Sequence, residues 1–408
     1  MSGSLGGLLR RNPDFRRLFY ATLVSLAGDW FTLVAVSGMV TEATGGDAAA
    51  SLVYAAAVLP VFLLSAPAGI LADRYDRKKL MVASDLLRAI PALGLIVALR
   101  LHSPVLAIVC VATSSALSAL YEPAALAATP NLVDDADLEG AQAAMGLAWG
   151  SMLLVGASLG GIASAVLGRE ASVILDAATF LISAALIARI RRATSAPRDH
   201  ATPHPEGLRA LGPFLRERPV VRALLFAKPG VGAANGIVGL LPGYATHKFG
   251  VGDLGLGVLL AARGLGALLG PLLGRSAASA DGRRLLLLCG AGSLLYAASY
   301  AILPVAPSIA VAAACAIVAH IGGGGQWMLS TVALQRATPD ALRGRVLGLD
   351  YGIATAAIGI SGLLAAALVT RFDLARATWI LVSIAAVYGL SWLAWTRALR
   401  RGTVDPLR

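Results

Sequence analysis

Two acidic residues lie deep inside long apolar runs of this sequence. Asp29 is close to the middle of "ATLVSLAGDWFTLVAVSGMV", and Glu122 interrupts the apolar run that begins at Pro104. A charge at the centre of a membrane-spanning helix costs roughly 2.5–3.5 kcal/mol on insertion scales, so such residues usually face a partner or a water-filled cavity. Asp29 and Glu122 are therefore candidate proton-coupling groups, and the sequence leaves open which of them carries the proton.

Small hydroxyl side chains accompany both acids at helical spacing. In the first run, Thr22, Ser25, Asp29 and Thr32 follow one another at spacings of three, four and three. In the fourth run, Ser115, Ser118, Glu122 and Thr129 repeat spacings of three and four. Positions three and four apart share one face of a helix, so each set predicts a polar stripe. A structural alternative is also open, in which Asp29 caps freed backbone at Gly28 or pairs with Lys228 or Arg263.

The elements that hold these residues are predicted to be membrane-spanning helices. Of the 408 residues, 57% are hydrophobic and 14% are charged, whereas a soluble protein carries about a quarter charged residues. Apolar runs of about 20 residues recur, each long enough to cross a hydrocarbon core of roughly 30 Å. The sequence therefore predicts an all-α integral membrane protein with twelve transmembrane helices. Their predicted positions are 15–41, 48–72, 80–101, 104–130, 138–167, 171–190, 220–247, 253–274, 284–303, 306–336, 344–370 and 375–398.

The basic residues lie mostly on one side of these helices. Of the 34 Lys and Arg residues, those on the face opposite the two termini are Arg100, Arg169, Lys248, Arg371 and Arg376, and nearly all the others lie on the terminal side. Cytoplasmic loops carry the excess of Lys and Arg, so both termini are predicted to be cytoplasmic in a multi-pass protein of the inner (cell) membrane. The net charge of +11 is therefore a sign of topology and not of nucleic-acid binding.

One long polar stretch divides the chain near its middle. Residues 191–219, rich in Pro, Arg and His, are predicted to form a cytoplasmic linker. They separate an N-terminal six-helix bundle at 1–190 from a C-terminal six-helix bundle at 220–408.

The two halves also resemble each other in sequence. At an offset of 206 Pro13 matches Pro219 and Asp29 falls on Asn235, and nearby offsets align "DRKKL" with "DGRRL". Several matches at nearly one offset favour a duplication. We therefore predict two pseudo-symmetric bundles, an arrangement found in transporters that rock one half against the other.

The loop between helices 2 and 3, "GILADRYDRKK", carries the most specific motif. It resembles the signature G-x-x-x-D-[RK]-x-G-[RK]-[RK] of the major facilitator superfamily, although Asp76 stands where that family usually has Gly. The segments "NPDFRRLFYATLVSLAGDW", "SDLLRA" and "TPDALRGRVLGL" are similar to the drug- and siderophore-exporter branch of that superfamily. The resemblance extends over essentially the whole chain.

This resemblance implies roles for individual residues. In the family fold, helices 1, 4, 7 and 10 line a central cavity. The residues expected there, for proton coupling and substrate binding, are Asp29, Glu122, Asn235, Gln326, Thr22, Ser25 and Ser118. Asp73 is expected to latch the halves at the N-terminus of helix 11, a helix end that favours negative charge. The residues of this conformational latch motif are Gly69, Asp73, Arg74, Arg77, Lys78, Asp85 and Arg88. Within that set Asp85 and Arg88, one helical turn apart, can neutralise each other.

The predicted function is secondary active transport by alternating access. We expect a proton-coupled exporter of amphipathic small molecules, such as a drug, a secondary metabolite or a siderophore. A lysophospholipid flippase and a small-molecule importer remain alternatives on the same fold. The expected partners are a small-molecule substrate, protons and the lipid bilayer, without nucleic acid, and the chain is expected to be a monomer.

An enzyme is not expected. The sequence has no G-x-x-x-x-G-K-[ST] nucleotide loop, no H-E-x-x-H metal motif and no G-x-S-x-G nucleophile motif. The cysteines, at 110, 289 and 315, lie unpaired in apolar runs, which favours small buried side chains. No cofactor, metal or catalytic residue is predicted.

Overall fold

The computed structural model describes residues 5–195, 211–278 and 281–401, but not the side chains of Ser65, Ala66, Ile70, Asp73, Asp135, Ala136, Glu139, Trp149, 275–278, Asp340, Ala341 and Gly344. Over the described residues the chain is helical and contains no strand. Its long helices are α1 Pro13–Thr44, α2 Ala48–Arg74, α3 Arg77–Arg100, α4 Pro104–Leu132, α5 Asp135–Leu167, α6 Arg169–Ala188, α7 Pro219–Lys248, α8 Gly252–Ala278, α9 Gly282–Ile302, α10 Ile309–Ala337, α11 Asp340–Val369 and α12 Leu374–Trp395. Shorter helices are found at Leu5–Arg11, Leu211–Glu217 and Arg397–Arg401.

These helices begin and end within a few residues of the predicted spans. Eleven of the described helices are long and apolar enough to cross a bilayer, and the described apolar part of α2 is the shorter stretch Ala48–Leu64. Large apolar side chains such as Leu93 and Val166 are exposed on the helix surfaces. This pattern is expected where helices face lipid instead of water, and the chain is a multi-pass membrane protein.

Proline interrupts two of the long helices. In α4 the regular helix stops at Ser118 and resumes at Tyr121. Pro123 has no N–H to offer the carbonyl group of Ala119, and its ring crowds the preceding turn. The interruption places Glu122 in the first turn of the second part of α4.

The second interrupted helix, α7, is broken twice. Regular turns end at Leu225, resume briefly at Pro229–Gly232 and begin again at Ile237. Pro229 removes one backbone donor, and the glycines that follow lower the helix propensity of this stretch. Its last turn, Tyr244–Lys248, is a π-helix.

The helix starts confirm the pseudo-symmetry of the two halves. Asn12 and Arg218, the residues before Pro13 and Pro219, share the same backbone angles, φ −116° and ψ 79°. A proline is well suited to the first turn of a helix because its missing N–H is not needed there.

Two side-chain caps repeat as well. Asp76 accepts a hydrogen bond from the Lys79 backbone N–H at 3.1 Å, and Asp281 accepts one from Arg284 at 2.9 Å, so α3 and α9 begin in the same way. Ser103 and Ser308 cap α4 and α10 with equal 3.4 Å bonds. Each pair lies 205 positions apart, which matches the repeat. Aspartate caps the helix at 76 where the signature has glycine, because its carboxylate satisfies a free N–H of the first turn.

The contacts divide the chain into two compact units. The first consists of residues 1–198 and 241–261, and the second of residues 199–240 and 262–408. The predicted bundle boundaries at 1–190, 191–219 and 220–408 stay a prediction, and residues 196–210 of the predicted linker lie outside the described residues.

Each unit has its own apolar core. In the first unit, Phe15, Leu18, Leu132 and Ile187 are among the buried residues where α1, α4 and α6 meet. In the second unit, α9 packs closely on α10, because glycine allows the two backbones to touch. A Cβ atom on Gly322 would lie only 2.7 Å from the carbonyl oxygen of Gly292. The "GGGG" run of α10 therefore serves close packing.

Candidate functional site

An ion pair between α3 and α1 lies at the centre of the first unit. Arg88 donates through Nη2 to Oδ1 of Asp29. Its Nη1 contacts the hydroxyl of Ser25 at 3.3 Å, and its Nε contacts that of Ser114 at 3.3 Å. The guanidinium carbon lies 4.0 Å from the centre of the Phe180 ring, within cation–π range. Arg88 is thus held by side chains from α1, α4 and α6.

The two partners of this pair differ sharply in their access to solvent. The Arg88 side chain is 4% exposed, whereas the Asp29 side chain is 41% exposed. The pair therefore has a buried, positively charged end and an accessible, negatively charged end. An accessible carboxylate fixed by a buried cation can meet a proton or a cationic solute.

Asp85 lies one helical turn before Arg88 on α3 and is fully buried. Both of its carboxyl oxygens lack a partner with hydrogen-bond geometry among the described residues, although the hydroxyls of Ser25 and Ser183 are nearby. Arg88 forms its direct ion pair with Asp29, and it lies close enough to Asp85 for their charges to interact. The predicted neutralisation of Asp85 by Arg88 stays a prediction, and Asp85 is a buried acid that shares its counter-charge with Asp29.

Asp176 on α6 is a third acid at this site. Its side chain is buried and accepts a hydrogen bond from Thr32 of α1. Gly28 makes this contact possible, since a Cβ atom there would collide with Asp176 and Thr179. Three carboxyl groups thus surround one guanidinium group.

Glu122 occupies a different environment from these acids. It is exposed, and among the described residues it has neither an ion-pair partner nor a hydrogen-bond partner. It lies close enough to Asp29 for their charges to interact. The neighbouring Tyr121 contacts Thr22 of α1 through its hydroxyl at 3.2 Å. The hydroxyl of Ser118, which is predicted to line the cavity, donates to the Ser115 carbonyl of its own helix at 2.8 Å.

Asn235 of α7 and Gln326 of α10 are the polar residues predicted for the cavity in these helices. Both are buried in the second unit. The Nδ2 atom of Asn235 lies 3.4 Å from the hydroxyl of Tyr296. Gln326 donates from Nε2 to the carbonyl oxygen of Ala227, beside the interruption of α7. Only 2% of Gln326 and 4% of Asn235 is exposed, so both side chains are engaged in packing contacts of this conformation.

Two further side chains hold the interrupted backbone of α7. The hydroxyl of Tyr388 donates to the carbonyl oxygen of Phe226 at 2.8 Å, and Nε1 of Trp392 donates to that of Ala223 at 2.9 Å. Both come from α12. Side chains from α12 thus stabilise carbonyl groups beside the interruption, as interrupted helices in membranes require.

The second unit contains a buried ion pair that the sequence did not reveal. Lys228, in the interruption of α7, binds Asp350 of α11, with side chains 2% and 3% exposed. Its ammonium nitrogen also lies 2.9 Å from the Thr331 hydroxyl and 4.8 Å from the centre of the Trp327 ring. Asp350 follows the motif "TPDALRGRVLGL", and its position in an apolar run was the available signal.

The predicted latch motif makes contacts within the first unit. Arg77 donates to the carbonyl oxygen of Ala127 at 2.7 Å and to that of Thr194 at 3.3 Å. Lys78 donates to the carbonyl oxygen of Ile190 at 2.9 Å. These cations bind carbonyl groups in the last turns of α4 and in the segment after α6.

The other members of that motif are less informative. Gly69 is partly buried on α2, with nothing within 4 Å of the place where a Cβ would lie, and Arg74 is exposed. The side chain of Asp73 lies outside the described residues. The latch function stays a prediction. Over the described part of the chain no group of three or more His, Cys, Asp or Glu side chains is arranged to hold a metal ion.

Comparison with known proteins decides the family. The model of the family described as transmembrane secretion effector, a branch of the major facilitator superfamily, matches residues 8–401. The chain belongs to this family. The transmembrane secretion effector family consists of transporters, so the resemblance drawn from the motifs is confirmed.

Individual relatives agree with this assignment. The chain is 28% identical to the multidrug efflux pump Tap of Mycolicibacterium fortuitum, over 92% of this chain and 93% of that protein. It is 29% identical to the enterobactin exporter EntS of Salmonella typhimurium, over 84% of this chain and 82% of that protein.

A solved structure confirms the fold. The inward-facing, occupied crystal structure of a bacterial homologue of the human lysosomal transporter Spinster superposes with a TM-score of 0.75 at 14% identity. The superposition covers 97% of this chain and 99% of that one. This secretion effector family member therefore has the all-α major facilitator fold.

Proposed function

We propose that this protein exports amphipathic, cationic small molecules in exchange for protons. The observation that carries the proposal is Asp29: an accessible carboxylate, far from both ends of α1, held by the buried Arg88. Such a group binds a cation, and antiport requires that protonation of the acids around Arg88 opposes this binding. The names of the relatives, a multidrug efflux pump and a siderophore exporter, support export.

The direction of transport depends on the orientation in the membrane. We place both termini in the cytoplasm, because most Lys and Arg residues outside the spans lie on the terminal side, and only five lie on the opposite face. The location is then the cytoplasmic membrane. Alternating access by two halves, latched through Asp73 and its neighbours, belongs to the same proposal, as does function as a monomer.

The test is transport by the full chain in proteoliposomes with an imposed pH gradient. Ethidium, a permanent cation whose fluorescence reports its uptake, is a suitable probe. We expect ethidium to accumulate in vesicles with an acidic interior through inside-out molecules, and the accumulation to collapse with a protonophore. Ethidium movement in the same direction as protons would instead indicate an importer.

Two variants separate coupling from packing. We expect Asp29→Asn and Glu122→Gln, each correctly folded, to lose gradient-driven accumulation if both acids serve coupling. Asp134→Asn is the matched control, because Asp134 is 76% exposed at the start of α5. Flipping of a fluorescent lysophospholipid at equal rates with and without the pH gradient, together with no ethidium transport, would contradict the proposal and favour the flippase alternative.

A further inference from the structure

The buried charges around Arg88 do not balance. Asp29, Asp85 and Asp176 offer three carboxyl groups to a single guanidinium group. An uncompensated buried charge is strongly unfavourable in a protein interior, and more so inside a membrane. At least one of these acids must therefore be neutral, which for a carboxyl group means that it carries a proton.

The geometry distinguishes Asp85 from the other two acids. Asp29 is paired with Arg88, and Asp176 lies on another helix and accepts a hydrogen bond from Thr32 at Oδ2, while its Oδ1 has no partner among the described residues. Asp85 is fully buried, and neither of its oxygens has a partner with hydrogen-bond geometry among the described residues. A protonated carboxyl group can donate to a nearby hydroxyl, as Ser25 and Ser183 would allow.

Arg88 can reach either acid. Asp85 lies three positions before it on α3, so the two side chains share one helix face about 5–6 Å apart at Cβ. Asp29 approaches from α1 on the accessible side. The hydroxyl of Ser25 contacts Arg88 at 3.3 Å and lies close to Asp85.

We propose that Arg88 pairs with one of two carboxylates at a time, Asp29 or Asp85, and that the exchanged proton resides on Asp85 while Arg88 holds Asp29. This inference rests on the proposed antiport and assigns a role in it to each of three residues. Asp29 is the cation-binding group, Asp85 is the proton carrier, and Arg88 links the two.

The exchange step balances in charge and in protons. In the observed arrangement Arg88 holds the Asp29 carboxylate, and Asp85 is protonated. A cationic substrate takes over the Asp29 carboxylate and releases Arg88. Arg88 then pairs with Asp85, whose O–H bond breaks, and the proton leaves to water. One positive charge enters the site and one leaves it. Return of a proton to Asp85 draws Arg88 back to Asp29 and expels the substrate.

The other groups packed around this pair fit the assignment. From α4, Glu122 adds a negative charge near Asp29 on the accessible side, which attracts a cation. From α6, Asp176 is engaged with Thr32, and Phe180 covers the face of the guanidinium group. Ser114 of α4 contacts Nε of Arg88 and can remain in contact during a short movement.

The first experiment measures proton release by the purified full chain in weakly buffered detergent solution. Ethidium is added as the probe, and a pH indicator dye follows the protons. For the natural sequence we expect one proton released for each ethidium bound. For Asp85→Asn we expect binding of ethidium without proton release, while Asp134→Asn releases protons as the natural sequence does. Equal release from Asp85→Asn would overturn the proposal.

The second experiment does not depend on any substrate. Infrared difference spectra of the protein in liposomes report the carbonyl stretch of a protonated carboxyl group. We expect a band at neutral pH that is missing in Asp85→Asn. We also expect it to be missing in Asp29→Asn, because Arg88, having lost Asp29, pairs with Asp85 and displaces its proton. A fixed arrangement predicts that the band persists in Asp29→Asn, and that result contradicts the switch.

The proton-release and infrared experiments test the inference separately from the proposed function. If the natural sequence neither binds nor transports ethidium, the proposed export of cations fails, yet the infrared arm still decides whether Arg88 alternates. If transport is observed but the Asp85 band is absent from the natural sequence, the export proposal stands and the proton carrier is another group. Should Asp85→Asn fail to fold, the Asp29→Asn spectrum alone tests the switch.

Discussion

Lys228 of α7 and Asp350 of α11 form an ion pair that is almost completely withdrawn from solvent, at 2% and 3% exposure. The ammonium group also contacts Thr331 and the Trp327 ring. Taking two charges out of water is costly, and their attraction offsets that cost only while both partners are present.

Removing one partner of this pair is therefore expected to be severe. Lys228→Met leaves Asp350 buried without a counter-charge, and we expect a loss of about 3–5 kcal/mol in unfolding free energy. The double variant Lys228→Met/Asp350→Leu is expected to recover most of that loss. Thermal unfolding in detergent measures both. A double variant as unstable as the single one would show that packing, and not charge, dominates at this position.

The first unit is expected to tolerate the loss of Asp29 better than the loss of Arg88. Arg88→Met leaves three acids around an apolar side chain, and we expect a loss of roughly 3–5 kcal/mol. In Asp29→Asn, Asp85 can take over the guanidinium group, so the loss is expected to be smaller. Unfolding of the two variants under identical conditions shows which one loses more stability. A larger loss in Asp29→Asn than in Arg88→Met would contradict the idea that Asp85 can replace Asp29 as the partner of Arg88.

Gln326 is expected to contribute through the backbone of α7. Its Nε2 donates to the carbonyl oxygen of Ala227, and the side chain is buried. Gln326→Leu is expected to cost about 1–3 kcal/mol, the usual penalty for a buried polar group left without its partner. Gln335→Leu, at an exposed position of the same helix, is the matched control. If the two variants are equally stable, the hydrogen bond from Gln326 to the Ala227 carbonyl does not contribute to stability.

A surface contact between the N-terminal helix and the start of α5 is expected to depend on pH. The Arg11 and Asn12 side chains hydrogen-bond to Asp137 and lower the pKa of its carboxyl group from its ordinary value. A lowered pKa in the folded state adds stability above the ordinary pKa of about 4, and that stability is lost as pH falls through the lowered value.

Comparison with Asp137→Asn measures this contribution. We expect the variant to be slightly less stable than the natural sequence at neutral pH, with the difference narrowing below about pH 4. Unfolding by denaturant across this pH range gives the difference. If the difference in unfolding free energy between the variant and the natural sequence does not change with pH, the charge of the Asp137 carboxylate does not contribute to stability.

The fold could be predicted from the sequence because a bilayer imposes strong constraints on composition. Each span needs about 20 apolar residues, and the matched caps at Asp76 and Asp281 repeat at the sequence offset. The predicted spans accordingly agree with the helices to within a few residues. Local hydropathy carries this information without any knowledge of packing.

The partners of the charged residues could not be predicted in the same way. Spacing places Asp85 and Arg88 on one helix face, but only the rotation of α1 against α3 brings Asp29 to Arg88. Asp350 follows a loop motif of α11, and the motif gives no indication that its partner is Lys228 of α7. The sequence predicts Gln326 in a cavity, whereas its side chain binds the Ala227 carbonyl beside the interruption of α7. Such pairings depend on helix rotation, which periodicity does not specify.

The interruption of α7 ties its movement to that of its neighbours. Carbonyl groups at Ala223 and Phe226 are bound by Trp392 and Tyr388 of α12, and that of Ala227 by a side chain of α10. A regular helix bends only by weakening its own hydrogen bonds. Here the interruption of α7 and the side chains that bind its carbonyl groups belong to different helices, so α7 cannot change its angle at this point without altering its contacts with α10 and α12. Lys228 lies in the same interruption, so such a change would also act on its ion pair with Asp350.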